Sequence, residues 1–332
     1  MSEGRRVALS LGSGGARGYA HIGVIEELRE RGYEIVTIAG TSMGALVGGL
    51  TAAGRIDDFA DWARGLRQRD VLRLFDLRLS GPGAIAAERL FAAMADFFEE
   101  AAIEELPIPF TAVATDLGSR REVWFQQGPL QAAVRASIAI PGLFSPVMIN
   151  GRLLVDGGLT NPVPLEPTTA VAADLTLAVS LLAPRHRREL TSPVHTSSAP
   201  DRSVAWRERL MRTLTALTGR DADPADDERS GLSDEVAVDP HPSSPTDALP
   251  PGLRKVDVTA LSFETIQSAL ARYRMAGLPA DIVIDVPVDA CKTLDFHRAE
   301  AMIDLGRSLA AEALDQFETQ QRALQLEESD PV

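Results

Sequence analysis

Twice near its start the chain runs a short apolar segment into a glycine-rich turn and then into a helical pattern. Val7-Ala8-Leu9-Ser10-Leu11 is brief, apolar and stopped by Gly12, the profile of a buried strand. Residues 19–31 follow with Ile22, Ile25 and Leu28 on one helical face and charges opposite, ending before Gly32. Residues 35–39 repeat the strand profile and residues 45–53 the helical one. Strands without a polar face need cover on both sides, and a helix between successive strands makes them parallel. The expected fold is α/β around a mostly parallel sheet.

Further strands are expected at residues 110–115, 122–125, 152–155, 175–182 and 282–286. Residues 57–101 read as helical, broken by Ser80-Gly81-Pro82-Gly83; residues 130–137 read as a helix stopped before Pro141. Residues 295–328 form a long, mostly helical end. Between about Pro184 and Lys255 the composition changes: nine prolines fall there and the hydrophobic periodicity lapses. That predicts a disordered or loosely packed insertion. The expected organisation is one domain over 5–315, interrupted at 184–255, with a helical tail at 316–332.

Within the insertion, residues 203–220 could form one helix, with Trp206, Leu210, Leu214 and Leu217 inside an arc of about 80°. Arg209, Arg212 and Arg220 lie opposite, a pattern that suits both an interfacial membrane helix and one docked on the protein's own body. The net charge of −14 argues against a nucleic-acid partner, which would require a basic footprint. A single cysteine, Cys291, excludes an intramolecular disulfide framework and fits a reducing compartment. Residues 7–11 are too short for a secretory core, and no stretch reaches the roughly 18 uncharged apolar residues of a spanning helix. A cytoplasmic setting is expected, with peripheral membrane contact through 203–220 left open. Oligomeric state has no signal in the sequence.

The strongest chemical signal is Gly40-Thr41-Ser42-Met43-Gly44, a G-x-S-x-G between an expected strand and helix. A sharp strand-to-helix turn lifts the serine hydroxyl above the sheet, and flanking glycines permit the crowded backbone. Upstream, Gly12-Ser13-Gly14-Gly15-Ala16-Arg17-Gly18 also joins a strand to a helix. Its spacing is G-x-G-x-x-x-G rather than the dinucleotide-binding G-x-G-x-x-G, the next strand ends in the serine turn, and no Gly-Lys-Ser/Thr follows. Beside a nucleophilic serine, such a loop serves as an oxyanion hole, its free N–H groups facing a developing negative charge.

A base for Ser42 must come from elsewhere. Of the five histidines, His186, His195 and His241 fall in the insertion, while His21 and His297 lie at helix starts. Asp156 instead ends the strand 153–155 and precedes Gly157 and Gly158, on the sheet edge where α/β sites form. Partial desolvation would raise its pKa into a useful range. Such a base predicts a carboxylate limb in the pH–rate profile, without an imidazole limb near neutrality. Asp116 reads as a turn cap and Asn161 as a support for the loop after Asp156. No cluster has metal-ligand spacing, so neither metal nor cofactor is expected.

The order Gly14-Gly15-Ala16-Arg17-Gly18, Gly40-Thr41-Ser42-Met43-Gly44 and Asp156-Gly157-Gly158 resembles the patatin-like phospholipases. Within them it is similar to the bacterial branch related to the catalytic domain of neuropathy target esterase. His21-Ile22-Gly23-Val24, the run Ala136-Ser137-Ile138-Ala139-Ile140-Pro141-Gly142 and the pair Asn161-Pro162 carry the same likeness. The resemblance spans roughly residues 5–183 and 256–315. It implies a three-layer α/β/α fold and a Ser42–Asp156 dyad that hydrolyses a lipid or other acyl ester through an acyl-enzyme. It further implies an oxyanion hole at Gly14 and Gly15, Arg17 holding that loop in shape, and supporting roles for Gly40, Gly44, Gly157 and Gly158. Ser13 departs from the glycine that many relatives carry. Two other readings keep the same motifs: an acyltransferase of the malonyl-transacylase type, and a non-catalytic membrane-recruitment or adaptor protein. The sequence does not choose among phospholipid, lysophospholipid, neutral glyceride and thioester.

Overall fold

The chain starts with strand β1 (Arg6–Leu11), whose Val7, Leu9 and Leu11 are completely buried. A 3-10 turn (Gly15–Tyr19) leads into helix α1 (Ala20–Glu30), strand β2 (Glu34–Thr41) and helix α2 (Met43–Ala52). The structure, a computed structural model, describes residues 4–74, 83–85, 88–98, 101–184 and 255–329. The described residues on either side of the long gap belong to one compact unit. The expected insertion and its 203–220 helix lie outside the described residues.

Helices α3 (Ile56–Gly65), α4 (Gln68–Leu74), α5 (Glu88–Ala93) and α6 (Ala95–Phe98) follow, with the short strand β3 (Gly83–Ile85) among them. Then come strands β4 (Phe110–Asp116) and β5 (Arg121–Phe125), helix α7 (Leu130–Ser137), and strands β6 (Gly142–Phe144), β7 (Val147–Ile149) and β8 (Arg152–Asp156). Strand β9 (Leu175–Ala183), helix α8 (Lys255–Gly277), strand β10 (Ile282–Pro287) and helix α9 (Ala299–Ser329) complete the described chain.

The main sheet runs β10-β9-β1-β2-β4-β8-β7, with β5 also on β4; β3 pairs with β6 separately. From β10 to β4 every neighbour is parallel, whereas β5, β8 and β7 run antiparallel to theirs. Alternation along the strands decides the layers. Leu175, Leu177, Val179 and Leu181 of β9 join the large core beneath α1, α2 and α9, while Ala178 and Leu182 pack with Ala271 of α8 on the other face. The result is the expected three-layer α/β/α arrangement.

One detail of pairing brings distant residues together. β4 pairs with β2 through residues 110–113, with β8 through 114–116, and with β5 through 112–116. Because β5 overlaps both other ranges, it must hold one edge of β4 while β2 and β8 share the opposite edge. Those two strands run in opposite directions, so they meet end to end: Thr41 pairs with Val113 and Asp156 with the next residue, Ala114.

One expectation needs refining, and two features had no sequence reading. Residues 57–101 are largely helical among the described residues, as expected, but the expected break holds a strand rather than a bare turn, since Gly83–Ile85 forms β3 against β6. Strands β6 and β7 were not legible, being three residues each and too short to express an alternation. Helix α8 also escaped the pattern, because its polarity is reversed. It buries Gln267 and turns Glu264 and Arg274 inward, while Leu261, Ile266 and Tyr273 face out. Among the described residues, no helix is long and apolar enough to cross a membrane.

Candidate active site

Ser42 closes the turn between β2 and α2 with φ 57° and ψ −121°, a backbone conformation that costs a non-glycine residue of order 1–3 kcal/mol. The neighbours hold it there. Its amide N–H donates to Ser137 Oγ (2.8 Å), and Ser137 in turn donates to the carbonyl of Val113 (2.6 Å). Thr41 Oγ1 donates to the carbonyl of Asn161 (2.8 Å). A methyl group on Gly40 would collide with the carbonyl of Gly44, and one on Gly44 with the carbonyl of Leu11. The two glycines of the motif therefore answer to close backbone approach.

The meeting of β2 and β8 puts Ser42 against Asp156. Ser42 Oγ donates to Asp156 Oδ2 at 2.5 Å, and both side chains are almost wholly buried. Asp156 Oδ1 accepts from the amide of Gly158 (2.7 Å), and the Asp156 amide donates to the carbonyl of Ala139 (2.9 Å). Burial pushes the Asp156 carboxyl up to about 7; the hydrogen bonds from Ser42 and Gly158 favour the carboxylate and offset part of that rise. The group can thus accept a proton near neutral pH and return it.

Neither described histidine bonds to this pair. His21 is fully buried, with its Nε2 donating to the carbonyl of Gly12 (2.8 Å). Burial lowers its imidazole to about 4, so the ring stays neutral around pH 7. His297 lies in a 3-10 turn (Phe296–Arg298) ahead of α9, and the other three histidines fall outside the described residues.

The glycine loop lies alongside. Its Gly12, Ser13 and Ala16 amides donate to the carbonyls of Val179, Pro162 and Thr293 respectively. The N–H groups of Gly14 and Gly15 find no such partner among the described residues, and they open the 3-10 turn that feeds α1. Gly15 has φ +59°, and a methyl there would sit 2.5 Å from the Thr293 carbonyl oxygen. Arg17, itself buried, donates to the carbonyls of Val288 (3.1 Å) and Cys291 (3.4 Å) and pairs with Glu264 of α8 (3.2 Å). It thereby ties the loop to the segment that supplies Thr293.

Gly157 and Gly158 turn the chain away from Asp156. Asn161 then donates to Glu122 (2.8 Å) and Glu166 (3.1 Å), both of which also receive Arg274 of α8. Asp116 caps its own turn through Gly118 and Ser119. Next to Ser42, Met43 joins Tyr19, Leu46, Phe59, Trp62 and Met94 around an apolar cavity of about 30 Å³. Sequence reasoning gave no role to Ser137, Glu264, Gln267 or Thr293. Only Ser137 left a trace, inside the run before Pro141.

A strained serine on a strand-to-helix elbow, bonded to a buried carboxyl and near two amides without a backbone partner among the described residues, is an arrangement able to support acyl transfer. The sequence profile of the patatin-like phospholipase family matches residues 9–169. An NTE family protein of Mycobacterium tuberculosis is 46% identical over 96% of this chain and 93% of its own length. Patatin-like phospholipase domain-containing protein 7 of Mus musculus is 30% identical over 54% of this chain and 14% of its own. VipD from Legionella pneumophila, a solved structure, aligns with TM-score 0.35 and 14% identity, covering 65% of this chain and 54% of that one. The chain belongs to the patatin-like phospholipase family, in its NTE-related branch, and that family acts on lipid esters.

Proposed function

We propose that the protein is a lipid acyl hydrolase of phospholipase or lysophospholipase type, working through a Ser42–Asp156 dyad. The observation that carries this reading is the 2.5 Å hydrogen bond from Ser42 Oγ to a buried Asp156 whose carboxyl is raised to about 7. Asp156 takes the hydroxyl proton as Ser42 Oγ attacks the ester carbonyl. The Gly14 and Gly15 amides receive the charge that forms on the carbonyl oxygen. Collapse expels the alcohol, protonated by Asp156, and leaves the acyl group on Ser42. Water then enters, loses its proton to Asp156 and releases the fatty acid. The apolar walls around Met43 favour an acyl chain over a polar group on that side of the serine.

The test combines fluorophosphonate labelling with hydrolysis of lysophospholipids, diacyl phospholipids and p-nitrophenyl esters of graded chain length. Wild-type protein should label once, at Ser42, and cleave at least one lipid class; Ser42→Ala should do neither. Residual turnover above roughly 1% in a folded Ser42→Ala variant would move the nucleophile elsewhere. A wild-type serine that never labels would favour the adaptor reading.

A further inference from the structure

The sheet does not stop at the level of the dyad. Strand β2 ends at Thr41, opposite Val113, but β4 carries on through Ala114, Thr115 and Asp116 in the same direction. Strands β5, β8 and β7 pair along this extension. The turns 117–120 and 150–151 therefore stand about 10 Å past the end of β2, on the edge of the sheet that carries Ser42. At that end three apolar side chains lie in one row. The Leu117 amide donates to the carbonyl of Leu153 (3.0 Å), and Leu153 pairs with Met148. All three are exposed, Met148 to 63%. Arg120 in the first turn, Arg121 after it and Arg152 at the start of β8 flank the row and are exposed as well. Residues 117–121 and 145–153 hold these three arginines and no acid, in a chain whose net charge is −14. Arg120 and Arg121 have no ionic partner among the described residues.

We propose that this projecting end docks the protein on the surface of an anionic phospholipid bilayer. The inference rests on the lipid acyl hydrolase reading above and adds the surface from which the substrate is taken. Leu117, Met148 and Leu153 enter the boundary between headgroups and acyl chains. The arginines stay at the level of the phosphates, with their apolar stems along the row. A guanidinium suits that place because it bonds two phosphate oxygens at once. The local positive charge is needed because a chain of net charge −14 is otherwise repelled by an anionic surface.

The position of the patch decides between a bilayer and an acidic protein as its cover. Contact here turns the edge that bears Ser42 and Asp156 toward the partner. A bilayer in that place supplies lipid directly to the dyad, without passage through water. A protein in the same place would stand across the route that a lipid must take.

The experiment is sedimentation with vesicles, using the full chain as Ser42→Ala so that no lipid is consumed. The vesicles are pure phosphatidylcholine, or phosphatidylcholine with about a third phosphatidylglycerol. Added to that parent, Arg121→Gln/Arg152→Gln should weaken binding to the anionic vesicles about 30-fold, about fivefold per arginine, and the loss should shrink in high salt. Met148→Ser should weaken binding to both vesicle types about tenfold. Arg29→Gln/Arg322→Gln is the control, removing equal charge at the opposite edge of the sheet, where α1 ends and Arg322 sits with Arg5 at the start of β1. Its binding should stay within about twofold of the parent. With Ser42 restored, the patch variants should keep the wild-type rate on p-nitrophenyl butyrate and lose activity on vesicle lipid in step with binding. Melting curves check the fold, and the two patch variants alter different positions, so either alone decides. Unchanged binding in a folded patch variant overturns the proposal, as does equal weakening in the control or a parent that sediments with neither vesicle. Protein that binds through the patch but cleaves no lipid with Ser42 present sinks the hydrolase reading and leaves the docking surface standing.

Discussion

Changing Asp156 to Asn should destroy activity and stabilise the protein, and the second effect depends on pH in a calculable way. Asparagine keeps the shape, still accepts from Gly158 and can still donate to Ser42, but it cannot ionise. In the folded chain burial raises the aspartic carboxyl from its ordinary 3.8 to about 7. Folding with that group ionised costs about 4 kcal/mol, since each pKa unit is worth about 1.4 kcal/mol. Well below 3.8 the carboxyl is protonated in both states and the cost vanishes. Between about 4 and about 7 the unfolded chain gives up the proton while the folded chain keeps it, so stability falls as pH rises. Above about 7 the whole penalty stands.

Melting followed by circular dichroism should give coincident curves for wild type and Asp156→Asn at about pH 3, below the unfolded carboxyl's pKa. Above about pH 7 the variant should melt higher by on the order of 5–10 °C. Its activity should drop as far as that of Ser42→Ala, and the double variant should be hardly worse than either, because the pair acts as a unit. A melting difference that ignores pH, or a wild type more stable than the variant at about pH 8, would refute the burial account of Asp156.

Other outcomes follow from the same geometry. Wild-type kcat/KM should rise with pH on a limb near 7, as Asp156 loses its proton. Its ionisation enthalpy should be the small value of a carboxylate, and an imidazole-like enthalpy would reassign the base. Gly14→Pro removes one free amide and Gly15→Ala drives a methyl against the Thr293 carbonyl; each should lower kcat by roughly 10²-fold, and retained kcat in a folded variant would give the loop another purpose. Ser137→Ala leaves the Ser42 amide and the Val113 carbonyl without their link and should cost about 1–3 kcal/mol of stability, with kcat falling more than KM changes. Glutamine at His21, which can still donate to the Gly12 carbonyl, should keep most of kcat; a folded variant as inactive as Ser42→Ala would replace the dyad with a triad.

The sequence by itself determined the α/β class, the strand-to-helix placement of Gly40-Thr41-Ser42-Met43-Gly44 and the glycine loop, because each is a local property. Apolar runs of the right length, glycines at sharp turns and a helical stripe after each all lie within one stretch of chain. Asp156 was legible for a similar reason, as an acid at a strand end before two glycines. The sequence could not say how these pieces meet. That β2 and β8 abut along one edge of β4, placing Ser42 Oγ 2.5 Å from Asp156, is a matter of strand order. Asp156 reaches about 7 only because the assembled layers exclude water from it. Ser137 and Arg274 were silent for a further reason. Each works through a partner far along the chain, and α8 hides its function by burying polar side chains and exposing apolar ones. A hydrophobic pattern reports which face avoids water, so it fails where the buried face has polar work to do at a site.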